Sequence, residues 1–277
     1  MTVGIVTDST AYLPQAVTSR LGIEVVPVQV IVDDQAYDES GGISVGEVAT
    51  ALRAGKSVTT SRPSPDQFVA AYRRLIERGC TSIVSVHLSS ELSGTYESAL
   101  LASKRLDIPV DVIDSRGIAM MMGFAIEAGA ALAQNGAHHE DVATVIRDRC
   151  AKASVIFYVD TLEFLQRGGR ISALRSRVGS ALHVKPILHM LNGVVESREL
   201  VRTSGKAIPR LIEICADLAT TDCDIAVHHV DAGDRADDVA QMLCERLNRT
   251  AITVTEAGAV VGAHVGPGAV AVVLSPQ

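Results

Sequence analysis

The sequence predicts an α/β protein of two lobes: an N-terminal lobe with a largely parallel sheet and helices on both faces, and a C-terminal lobe with a mixed α/β sheet. Three observations carry this. β-rich runs alternate with helical runs through the first 152 residues, the pattern of parallel strands joined by helical crossovers. In the second half, Asn192-Gly193 separates two apolar runs. Both positions tolerate positive φ, so the pair marks a hairpin and brings antiparallel strands into the sheet. Finally, 277 residues, 47% hydrophobic and 21% charged, can hide roughly three-quarters of the unfolded surface, enough for a core without disulfides or metals.

Taken in order, residues 3–7 and 24–32 read as strands, 45–54 and 66–78 as helices, and 82–87 as a buried strand. An amphipathic helix follows over 93–106, with Tyr96, Leu100 and Leu106 near one face and Lys104 and Arg105 outside. Residues 110–113 form a strand, 117–133 an apolar helix and 139–152 a more polar one. The lobes then divide, 1–152 and 153–277, without a Pro/Gly/Ser-rich linker. Beyond the break, strands are expected over 155–159, 184–191, 194–202, 224–230, 251–255 and 269–274, with helices near 206–219 and 235–248. No internal repeat or low-complexity tract interrupts this order.

Composition excludes several classes. Thirty-two acids against 25 bases give a net charge of −7, which argues against general binding to nucleic acid or to anionic membranes. Five Tyr, four Phe and no Trp leave little for base stacking. Cys80, Cys150, Cys215, Cys223 and Cys244 are odd in number and never spaced C-x-x-C, which points to a reducing compartment. The chain opens on Val3-Gly4-Ile5-Val6 without a basic, cleavable leader. Its longest apolar run, Gly117 to Ala133, is interrupted by Glu127 and suits a buried helix better than a membrane span. The expected location is the cytoplasm.

The familiar cofactor signatures are missing. There is no G-x-G-x-x-G after the first strand, Ser204-Gly205-Lys206 lacks the upstream glycine of a phosphate loop, and H-E-x-x-H is absent. His138-His139 and His228-His229 are adjacent pairs; strand neighbours point to opposite faces and chelate poorly.

Four segments carry the remaining chemistry. In Leu88-Ser89-Ser90-Glu91-Leu92-Ser93-Gly94-Thr95-Tyr96, Ser93 and Thr95 sit between a buried strand and a helix. There they either cap the helix or face an anion, since a helix start offers unpaired N–H groups and a favourable dipole. A nucleophile elbow is disfavoured, because Glu91 stands where G-x-S-x-G needs its first glycine. In Thr59-Thr60-Ser61-Arg62-Pro63-Ser64-Pro65-Asp66 the prolines stiffen the loop and Ser64 is placed to cap the next helix. Thr60 and Ser61 are left to a ligand or to an ordinary polar turn. In Asp160 to Ser172 a short helix ends at Gly168-Gly169, flanked by Arg167 and Arg170. The fourth segment, Gly258 to Gly268, sets His264 among glycines whose density implies close backbone packing; the ring is either structural or turned to a ligand.

Together these segments resemble the DegV family of bacterial fatty-acid-binding proteins. The resemblance rests on Thr7-Asp8-Ser9-Thr10, Thr60-Ser61-Arg62-Pro63-Ser64, Leu92-Ser93-Gly94-Thr95-Tyr96, Leu162 to Ser172, and Gly262-Ala263-His264-Val265-Gly266-Pro267-Gly268, in family order along nearly the whole chain. Arg62 replaces the usual Gln of the second motif. The resemblance implies two α/β lobes with a long-chain fatty acid in an interior tunnel between them. It implies a carboxylate held by Thr60 and Ser93, with Ser61, Gly94, Thr95 and His264 completing the ligand site, and no other cofactor or metal. It further implies a binding subunit rather than an enzyme: a separate fatty acid kinase would convert the bound acid to an acyl phosphate. Arg170 and Arg202 are assigned, by the same resemblance, to phosphoryl transfer or docking.

Physical sense supports such a ligand. A sixteen-carbon tail gains on the order of 11 kcal/mol gross at ~0.8 kcal/mol per buried methylene, much of it consumed by association and ordering. The run Ile118 to Ile126, rich in Met, is either a tunnel wall suited to a flexible chain or a plain core helix. Two other classes compete: a serine acyl hydrolase using Ser93 and His264 with Asp8 or Asp114, and a nucleotide-binding regulator suggested only by α/β alternation.

Overall fold

A computed structural model describes residues 2–171 and 185–277. Ser172 and residue 184, the first of the strand expected over 184–191, lie outside the described residues. By contacts the chain divides into two compact units, one of residues up to Gln29 with Ser61–Ala153, the other of Val30–Thr60 with Ser154–Gln277. The sequence reading assigned residues 30–60 to the first lobe; their contacts group them with the second.

The first unit is built on four parallel strands in the order β2-β1-β6-β7. These are β1 (Val3–Asp8), β2 (Glu24–Val26), β6 (Ser82–His87) and β7 (Val110–Asp114). Alternation along the strands sends side chains to two cores. Val3, Ile5, Val84, Val86 and Ile113 face α1 (Gln15–Leu21), α5 (Met120–Gln134) and α6 (His139–Lys152). Val6, Val26 and Ile83 face α3 (Pro65–Glu77) and α4 (Thr95–Ser103). Helices therefore cover both faces, as expected. Ser64 does cap α3: its hydroxyl accepts from Gln67 N while the Gln67 side chain accepts from Ser64 N, the reciprocal pairing of a capping box. The apolar helix starts at Met120 rather than 117, and Met122, Ala125 and Ile126 are core residues of this unit.

The second unit carries six strands in the order β10-β9-β8-β13-β11-β12. They are β8 (Ser154–Tyr158), β9 (Lys185–Leu191), β10 (Val194–Val201), β11 (Cys223–His229), β12 (Thr253–Glu256) and β13 (Val270–Pro276). Only β11–β12 is parallel; the other four pairings are antiparallel, giving the mixed sheet. The β9–β10 hairpin turns at Asn192 and Gly193, with φ of 51° and 87°. α8 (Ser204–Leu218) and α9 (Gly233–Leu247) pack on the sheet through Leu211, Ile212, Val239 and Leu243.

Residues 24–32 form two strands rather than one. Pro27 lacks the N–H to continue the ladder, and β3 (Gln29–Val32) joins a separate three-stranded sheet, β4-β3-β5. Its partners β4 (Gln35–Asp38) and β5 (Val58–Ser61) were not foreseen, nor was α1. Between β4 and β5 along the chain lies α2 (Val45–Arg53), opened by a Ser44/Glu47 capping box.

Candidate functional site

The residues singled out by sequence fall on both units. In the first unit, β6 ends at His87 and the loop Leu88–Gly94 leads into α4. That loop is tied down by its own backbone: Ser89 N donates to Gly117 O at 2.9 Å, and Ser89 O accepts from Leu92 N at 3.0 Å and Ser93 N at 3.1 Å. The N-cap of α4 is Gly94, and no side chain caps it. Ser93 is therefore not spent as a helix cap. Its Oγ, on a partly exposed residue, pairs with Oγ1 of fully buried Thr95 at 2.9 Å. Arg62 lies over the same turn: a Cβ on Gly94 would come within 2.0 Å of its Nη1. This leaves an exposed cation at a helix start, with no ion pair to Arg62 among the described residues. Among the described residues the Ser61 hydroxyl reaches only Arg62 O, at 3.5 Å.

In the second unit, Thr60 near the end of β5 meets His264 on a short helix, α10 (Ala259–Val265), with Oγ1 and Nε2 2.9 Å apart. That helix was missed because its glycines suggested a loop. The other ring nitrogen, Nδ1, is buried and has no hydrogen-bond partner among the described residues. Burial, reinforced by the positive charge of Arg170, pushes the His264 pKa down to about 4; the ring is neutral at pH 7. Gly168 and Gly266 make room for this packing. A Cβ at Gly168 would sit 2.4 Å from Nδ1, and one at Gly266 (φ +77°) would sit 2.1 Å from Phe164 Cδ2. Arg170 Nη1 donates to Gly168 O at 2.5 Å. Arg202, just beyond β10, is exposed.

Within the second unit, His264 has no carboxylate partner among the described residues. A serine triad needs the histidine Nδ1–H to point at a carboxylate, and no described carboxylate meets His264 Nδ1. Both candidate acids are occupied in the first unit. Asp8 accepts from Thr10 N and Oγ1, from Leu88 N and from His87, and Asp114 accepts from Ser90 N, Ser90 Oγ and Arg116 N. Burial pushes the Cys150 and Cys215 thiols up to about 12, which disfavours the reactive thiolate. Among the described residues no cluster of His, Cys, Asp and Glu could hold a metal, and no helix is long and apolar enough to cross a membrane. His228 is buried against Thr255, while His229 Nδ1 accepts from Ala232 N.

Sequence reasoning missed two features. One is a cleft of about 670 Å³ in the second unit. Its charges are largely paired within the wall, Arg53 with Asp231 and Arg235 with Asp160. The other is a fully buried run in the first unit joining Tyr72, Ser85, His87 and Asp8. Its only sequence signal was the i, i+2 spacing that puts Ser85 and His87 on one face of β6.

Comparison with known proteins gives one consistent result. The family model described as an uncharacterised protein of the DegV family matches residues 2–277. A DegV domain-containing protein of Streptomyces coelicolor is 48% identical over 277 residues, covering 99% of each chain. Two solved structures superpose over 100% of both chains. A fatty-acid-binding DegV family protein from Thermus thermophilus does so with a TM-score of 0.93 and 31% identity. The fatty acid binding protein DegV from Bacillus subtilis does so with a TM-score of 0.91 and 32% identity. The match of fold, length and ordered motifs leaves one assignment: the chain belongs to the DegV family.

Proposed function

We propose that this protein binds a long-chain fatty acid, holds its carboxylate through Ser and Thr hydroxyls, and presents it to a separate kinase subunit for acyl-phosphate formation in the cytoplasm. The observation that carries the reading is the Thr60–His264 pair. With the neutral ring donating Nε2–H to Thr60 Oγ1, the Thr60 hydroxyl keeps its own proton for an acid oxygen. The Ser93–Thr95 contact works the same way: one hydroxyl proton is used between them and the other remains for a ligand. The N–H groups at Gly94 and Thr95, and the loosely held Ser61 hydroxyl, add donors. Such a set binds an anion without a bidentate guanidinium clamp, which would occupy both carboxylate oxygens, and so leaves one oxygen available to a phosphoryl group. Arg170 and Arg202 are the cations proposed for phosphoryl transfer or kinase docking. Fatty acid binding by the Thermus and Bacillus proteins supports the ligand class.

Two measurements test the reading. Mass spectrometry of the purified, denatured protein is expected to release one equivalent of a long-chain acid. Ser93→Ala and Thr60→Val are each expected to weaken palmitate binding about tenfold, the ~1.4 kcal/mol of one hydrogen bond to a charged group. Unchanged affinity in both variants would remove the hydroxyls from the site.

A further inference from the structure

We propose that Asp8 and His87 are positioning residues that hold the Ser93 loop in the geometry needed to prefer a carboxylate over an alcohol; the proposal rests on the fatty-acid reading above. All four groups of the buried run are on residues with 0% exposure. Tyr72 Oη donates to Ser85 Oγ at 2.9 Å. Ser85 Oγ and His87 Nε2 lie 2.7 Å apart, and His87 Nδ1 and Asp8 Oδ2 lie 3.0 Å apart. One assignment of hydrogens satisfies every atom: tyrosine to serine, serine to Nε2, Nδ1–H to the carboxylate. Asp8 also accepts from Leu88 N at 3.0 Å, Thr10 N at 3.1 Å and Thr10 Oγ1 at 2.5 Å. Four donors thus fill the four lone-pair positions of a carboxylate.

The run has the order of a catalytic triad, but Ser85 is sealed from any substrate. A buried carboxylate is costly to desolvate and seldom beats an apolar replacement for stability. What this one supplies is geometry. Leu88 N, one of its four donors, is the first N–H of the loop whose next residue, Ser89, accepts from Ser93 N. The far end of the run also touches α4, because the one Tyr72 hydroxyl proton is shared between Ser85 Oγ at 2.9 Å and, more weakly, Ala99 O at 3.4 Å. Both ends of the Ser93 segment are therefore referenced to one buried network, which polarises cooperatively when complete and loosens when one member is lost.

The test is competition of palmitate and hexadecanol against a fluorescent fatty acid, read as the ratio of the two Kd values. The wild type is expected to favour palmitate at least tenfold. His87→Phe, which removes the donor to Asp8, is expected to cut that preference at least fivefold while hexadecanol affinity stays within twofold. His87→Asn, whose amide N–H replaces Nδ1–H, is expected to restore it. Leu75→Ala, in the same core face but outside the network, is expected to lower the melting temperature without touching the ratio. A preference unchanged in His87→Phe, or lowered equally by Leu75→Ala, overturns the proposal. Should His87→Phe not fold, Ser85→Ala cuts the run at its far end and is expected to lower the ratio about threefold; no change there overturns it equally. A wild type that binds both probes alike, or neither, fails the fatty-acid reading itself, and does so before any variant is made.

Discussion

At His264 two effects act in the same direction: burial strips water from the ring, and the Arg170 charge repels a second proton. The folded-state pKa of about 4 lies below the unfolded value of 6.5, so the folded state favours the neutral ring. That contribution to stability is fully present above pH 6.5 and is lost as pH falls towards 4. In ligand-free protein the pH dependence of unfolding in urea is expected to differ between wild type and His264→Asn. The wild type should lose about 3 kcal/mol relative to the variant between pH 7.5 and pH 4. A difference that stays constant over this range would mean that the ring is not held neutral, and the Thr60 donor argument would go with it.

Elements were legible where local chemistry and tertiary demand agree. Asn192-Gly193 announced its hairpin because both residues accept positive φ cheaply. Asp33-Asp34 makes the equivalent two-residue turn between β3 and β4, with φ of 46° and 69°, and went unread because aspartate signals it more weakly. The α10 helix was hidden for the opposite reason: Gly262, inside it, leaves room for Val230, and only Gly266, its C-cap at φ 77° against Phe164, marks a turn. Ala119, before α5, shows what such mismatches cost. It stands at φ 57°, ψ −148°, a region essentially reserved for glycine. It is held there by Ala119 N donating to Thr10 O at 2.9 Å, while its own carbonyl starts α5. Ala119→Gly is therefore expected to raise the urea midpoint by the equivalent of about 1 kcal/mol, net of glycine's extra chain entropy. A destabilised variant would show that the methyl group contributes more through packing than the backbone conformation costs.

For the whole molecule, the two-lobed α/β class, the parallel and mixed sheets and the family were readable from the order of strands, helices and motifs. The course of the chain was not. Residues 30–60 lie between the two segments of the first unit in sequence but group with the second by contacts, and nothing in local composition records a choice made by packing over long separations. The buried Asp8–His87 network escaped for the same reason, since its members lie 79 residues apart. Ligand linkage is the property that tests the molecule as a whole. A ligand that binds only the native state adds RT ln(1 + [L]/Kd) to its stability, about 2.7 kcal/mol at one hundred times Kd. For a chain of this length each kcal/mol moves the melting temperature by roughly 2–4 °C. Delipidated protein given palmitate at that excess is thus expected to melt about 5–10 °C higher, with hexadecanol giving a smaller rise because it brings no charge. A melting temperature indifferent to palmitate, in protein shown by mass spectrometry to be free of endogenous acid, would mean that the native state holds no site for the acid.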